Sequence, residues 1–204
     1  MDGVFMKKLI KITLCISVVA AMFWLADVWQ DKQVLQENLI RLHVVANSDS
    51  DEDQKIKLQV KDAVVSYLQA ETSEFENKEQ AMQYINDNLT SIEEIANRRL
   101  SELGNVEQVA ISLGPEVFDT RDYETFSLPA GIYDSLRIQI GEGKGKNWWC
   151  VVFPSLCLPA TTNEFQEVAV SSGFSQELGS TLSGDRKFRF FVLDCFGKIE
   201  KFFQ

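Results

Sequence analysis

A chain of 204 residues with 45% hydrophobic content can bury one core, or at most two small ones. Its formal charge of −10 and pI near 4.7 argue against nucleic acid as a partner, which needs a clustered basic surface, since the longest basic groupings past the N-terminus are Arg98-Arg99 and Lys144 with Lys146. A single histidine, His43, leaves a Ser-His-Asp or Cys-His device dependent on that one residue, and zinc ligands are not clustered.

Met6, Lys7, Lys8 and Lys11 precede an apolar run over residues 12–26, the pattern of a charged n-region followed by an h-region. The run is shorter than the about 20 residues of a spanning helix. Leu9 and Ile10 extend it, however, and Trp24 and Trp29 suit the membrane interface. Residues 1–26 are therefore expected to be a signal peptide or an uncleaved membrane anchor, with the rest of the chain exported.

Ile40, Leu42 and Val44 alternate with Arg41, His43 and Val45, which predicts a strand with one apolar face and His43 on the exposed one. Residues 47–53 then supply helix-start chemistry, with Ser50 and Asp53 at capping-box spacing and acidic residues at the positive helix end. Asp49, Asp51 and Asp53 resemble a calcium loop, but its glycine is missing and Val60 stands where the closing Glu belongs, so capping explains them better. Ile56, Val60, Ala63, Val64, Tyr67 and Leu68 form the stripe of a first long helix. Asn77 as cap, Met82, Ile85, Leu89, Ile92, Ala96 and Leu103, and Gly104 as stop predict a second. Val109, Ile111 and Leu113 predict a strand ending at Gly114-Pro115.

Residues 128–157 read as a hairpin. Leu136, Ile138 and Ile140 alternate with Arg137 and Gln139, residues 148–153 are continuously apolar, and Gly141, Gly143 and Gly145 form the turn. Those glycines do not make a nucleotide loop, because their spacing matches neither P-loop nor dinucleotide fingerprint. Trp148 and Trp149 are adjacent on the strand, so one is expected inside and one outside. Residues 154–185, poor in periodicity and rich in Ser, Thr and Gly near their end, read as a loop or partly disordered linker. Residues 186–204 read as an aromatic helix or strand-helix packed on the domain, with a partner-binding or membrane-surface helix as the alternative. The expected architecture is α+β: a signal or anchor helix, then a mixed or antiparallel sheet packed with two long helices and a C-terminal aromatic helix. The domains are 1–26, an exported 38–157, a linker 158–185 and the tail 186–204.

No aspartic-protease signature exists, since Asp119-Thr120 is followed by Arg121. An enzyme is not expected, and no cofactor motif is found. In an oxidising compartment any two of Cys150, Cys157 and Cys195 can pair; Cys150 with Cys157 is the favoured bridge, and buried free thiols are the alternative.

Two blocks carry a family resemblance. Residues 39–50, Leu-Ile-Arg-Leu-His-Val-Val-Ala-Asn-Ser-Asp-Ser, with Asp53-Gln54 and the Val-Lys-Asp-Ala-Val of 60–64, resemble the opening of stage II sporulation protein R. The Leu-Pro-Ala-Gly-Ile-Tyr of 128–133, Leu136-Arg137, the Gly-Glu-Gly-Lys-Gly of 141–145, the Asn-Trp-Trp-Cys-Val-Val-Phe-Pro of 147–154 and Leu156-Cys157 are similar to the family's second signature. The resemblance implies a protein made in the forespore of endospore-forming bacteria and exported toward the space between forespore and mother cell. There it implies activation of a membrane-embedded aspartic protease that processes the sigma factor E precursor. On that reading Asn47, Ser48, Asp49, Ser50, Gly143, Lys144, Asn147, Trp148 and Trp149 are the expected partner-binding residues, and no nucleic acid is a partner. A cell-wall or envelope hydrolase using an unrecognised carboxylate pair is the competing function, and a structural envelope protein with a partner-binding tail is another.

Overall fold

A computed structural model describes residues 3–72, 75, 77–154 and 162–203. Strand β1 (Ile40–Val45) is buried along its whole length, and the sheet is built around it. It pairs in parallel with β5 (Gly131–Ile140) and antiparallel with β6 (Asn147–Phe153), while β2 (Val109–Phe118) pairs antiparallel with β5, giving the order β2-β5-β1-β6. A second, two-stranded sheet joins β3 (Arg121–Asp122) to β4 (Ser127–Leu128).

One face of the large sheet is covered by α2 (Asp51–Thr72), α3 (Lys78–Asp87) and α4 (Leu89–Glu102). The covering residues recur every fourth position, Ile56, Val60, Val64 and Leu68 on α2 and Ile92, Ala96 and Leu100 on α4, as an amphipathic helix requires. They meet Leu42 and Val44 of β1, Leu136, Ile138 and Ile140 of β5, and Cys150 and Val152 of β6. The opposite face packs against the second half of α1 (Gly3–Asn38) and against α5 (Thr162–Ser171), α6 (Gln176–Leu182) and α7 (Lys187–Phe202), through Val28, Leu35, Phe165, Leu178 and Leu193. The α+β class, the mixed sheet, the apolar N-terminal helix and the C-terminal helix are as the sequence predicts.

Several expectations are corrected. The hairpin expected over 128–157, of which 155–157 lie outside the described residues, does not form, because β1 lies between β5 and β6. Their connection crosses the end of β1, and Gly145 passes so close to the Ser48 carbonyl that a Cβ would overlap it. The second long helix breaks at Asn88, whose amide donates to the Tyr84 carbonyl at 2.8 Å, a local bond that competes with helix continuation. β2 runs through Pro115 to Phe118, because β2 is an edge strand on which a missing N–H costs no sheet bond. His43 is buried on the central strand, not exposed. The stretch 158–185 carries α5 and α6, whose apolar residues Phe165, Ala169, Leu178 and Leu182 are too widely spaced to show strand periodicity.

The last helix is fastened to the loops that flank the sheet. Asp194 accepts from the Ala130 N–H at 2.8 Å and from the Thr120 hydroxyl at 2.5 Å. One turn on, Gly197 lies directly against the Ala130 carbonyl, a contact that leaves no room for a Cβ.

Candidate partner-binding site

The two separated sequence blocks fold onto each other. As β1 ends, the Lys144 and Gly145 amides donate to the carbonyls of Asn47 and Ala46 at 3.1 and 2.9 Å. The Glu142 amide donates to the Asn47 side chain at 3.0 Å, and the Lys146 amide to the Asp49 carboxylate at 2.7 Å. Ser50 caps α2 by accepting from the Asp53 N–H at 3.1 Å, as its spacing predicts. The Asp53 carboxylate accepts from Ser48 Oγ and Asn47 Nδ2 instead of closing a capping box. Lys57 then donates to the Lys146 carbonyl at 3.0 Å, fastening α2 to the glycine loop. Asn47, Ser48 and Asp49 thus hold the loops in shape, and the side chains facing outward include those of Glu142, Lys144, Lys146 and Trp148.

Gly141 and Gly143 adopt positive φ of 53° and 63°, which a residue with a Cβ rarely does. Lys144 stands in solvent, paired with Glu142 at 2.7 Å. Trp148 and Trp149 point to opposite faces of β6. Trp148 is 38% exposed, with the Lys61 ammonium 4.9 Å from its ring centroid. Trp149 is half-buried, stacked on His43 at 3.6 Å and edge-on to Phe118 at 4.9 Å. Beside the two tryptophans runs a groove of about 860 Å³ between α2 and the β3–β4 segment, with Lys61, Val65, Arg121 and Tyr123 on its walls.

Behind the groove lies a polar set that spacing did not reveal. His43 Nδ1 is 2.7 Å from Glu116 and Nε2 is 2.9 Å from Asn147, so one imidazole links β1, β2 and β6. Burial works against the Glu116 carboxylate, but the His43 hydrogen bond and charge, with Arg137 nearby, bring its pKa below the ordinary carboxylate value. Arg41 is fully buried, lies 3.8 Å over the Phe118 ring and donates to Tyr123 Oη at 3.1 Å. The available signal was two polar residues, Arg41 and His43, inside an otherwise apolar run.

Among the described residues no group of His, Cys, Asp and Glu is arranged to hold a metal ion. Cys150 is disulfide-bonded, Cys15 and Cys195 carry free thiols, and Cys157 lies outside the described residues.

A model of the stage II sporulation protein R family matches residues 36–163, from the last turn of α1 past β6 and including both interlocked loops. The chain belongs to that family. It is 36% identical over 124 residues to stage II sporulation protein R of Bacillus subtilis (strain 168), an alignment that covers 61% of this chain and 55% of the relative. The chain thus matches about half the length of that relative. No solved structure matches it significantly. The apolar half of α1, α6 and α7 lie outside the family match. Membership assigns the chain a role in sporulation, and α1 is long and apolar enough, by length and composition, to cross a membrane.

Proposed function

We propose that this chain is an exported forespore signalling protein that activates a membrane-embedded aspartic protease in the facing mother-cell membrane. Activation of that protease leads to processing of the sigma factor E precursor. The chain acts as a protein ligand and performs no chemistry itself. The observation that carries this reading is the interlock of the two family blocks into one hydrogen-bonded loop cluster, which displays Glu142, Lys144, Lys146 and Trp148 to solvent. A ligand activates an enzyme only by binding its active state better than its inactive one. Driving such a switch nearly to completion takes a preference of about 10⁴, or roughly 5.5 kcal/mol. Tryptophan beside a groove is suited to that task, because buried aromatic anchors carry much of the energy of protein interfaces. The bridge of Cys150 is assigned to Cys157, since Cys15 and Cys195 carry free thiols.

The test is co-expression of the chain with the cognate protease and the sigma factor precursor in a non-sporulating bacterium, following precursor shortening by immunoblot. Shortening that requires the chain supports an activator. An unshortened precursor beside folded, exported chain and competent protease contradicts it.

A further inference from the structure

The apolar half of α1 and the aromatic start of α7 meet at one level of the molecule. An 18-residue apolar window of α1 is 0% buried against the rest of the described residues. From Trp24 onward the same helix joins the core through Val28 and Leu35. Trp24 stacks on Phe188 at 5.6 Å, Trp29 meets Phe196 edge-on at 5.2 Å, and Lys32 pairs with Glu200 at 2.8 Å. Later positions on α1 meet later positions on α7, so the helices run parallel and α7 begins beside Trp24. Tryptophan is favoured at the membrane–water interface, where its ring sits at headgroup level. At that level Phe188 is 70% and Phe191 61% exposed. Three residues apart on a helix, the two rings share a face. Just before them Lys187 is exposed and forms no salt bridge among the described residues, while Arg186 pairs with Glu177.

We propose that α1 is retained as a membrane anchor and that Phe188 and Phe191, beside Trp24, seat the start of α7 in the headgroup region of the same bilayer, with Lys187 toward lipid phosphate. Continuity decides the occupant. A helix that crosses the bilayer and leaves it at Trp24 places Phe188, one stacking contact away, at the membrane surface. Because α1 continues unbroken to Asn38, the domain stands at a fixed height on a stiff stalk and not on a flexible tether. This docking goes beyond the activator reading and stands or falls without it.

The full chain, with Cys15→Ser and Cys195→Ser, is reconstituted in phosphatidylcholine–phosphatidylglycerol vesicles and spin-labelled at Asp185→Cys or Ile199→Cys. Position 199 lies about 16 Å further along α7 than Phe188. Docking predicts several-fold fewer collisions with a water-soluble nickel complex at 185 than at 199. Phe188→Ser with Phe191→Ser should restore aqueous values at 185 while circular dichroism stays unchanged. Equal nickel accessibility at the two positions overturns the proposal. Protection at 185 that appears only at high protein-to-lipid ratio assigns the face to a second copy and also overturns it. Chain recovered from expressing cells without residues 1–26, by mass, overturns the anchor.

Discussion

His43 and Glu116 show how much of this protein rests on single contacts between distant residues. The pair sits 2.7 Å apart across the sheet, faced by Asn147 from β6 and Arg137 from β5. Because the folded Glu116 pKa lies below its usual 4.5, its contribution to stability is present above that value and is lost as pH falls through the folded pKa. Glu116→Gln should therefore lower the unfolding free energy read from urea denaturation at pH 7 by about 1.5–3 kcal/mol, as for a lost charged hydrogen bond, and should flatten the fall in stability on the acid side. Denaturation curves between neutral and acid pH check both. Gly145 is a second such point: Gly145→Ala drives a methyl group into the Ser48 carbonyl, and the loop interlock should loosen with a lower melting temperature. The caps Ser50 and Asn77 were legible in the sequence because each uses an N–H three residues away. The His43 network was not, because its partners lie 73 and 104 residues off.

At the level of elements, periodicity located α2 and the four strands of the large sheet but ran α3 and α4 together, missed α5 and α6, and could not order the strands. Residues 131–140 and 147–153 are adjacent in sequence and of strand character, so a hairpin was the natural reading, yet β1 takes the place between them. Nothing local in either strand encodes that insertion; the close approach of Gly145 to the end of β1 does, and it is visible only once folded. α1 was legible as an apolar segment but not as a core element, since its second half is held by α7. Arg189, 5% exposed, donates to Asp31 at 2.8 Å and to Asp27 at 2.9 Å. Arg189→Ala leaves the Asp31 carboxylate buried without its cation and should cost about 3–5 kcal/mol, read by chemical denaturation of the full chain in detergent. Arg189→Met removes the same charge but keeps packing, so a milder loss there would separate the two contributions.

Over the whole molecule, the sheet separates two helical layers with different tasks. The layer of α2, α3 and α4 lies within the family match, and its α2 frames the loop cluster and the groove. The layer of α1, α5, α6 and α7 builds the other core and carries the apolar stalk. On the proposed activator reading the surface around Trp148 is the activating face, and the two adjacent tryptophans permit a direct test of it. Trp149, stacked between His43 and Phe118, supports the fold, so Trp149→Ala should lower the melting temperature. Trp148, on the opposite face and 38% exposed, should matter to the partner. The deciding measurement is precursor shortening by Trp148→Ala in cells that also make the protease and the sigma factor precursor, alongside its melting temperature. The account predicts a chain that melts within a few degrees of the wild type yet leaves most of the precursor uncut; a Trp148→Ala chain that cuts it as fully as the wild type would contradict the account.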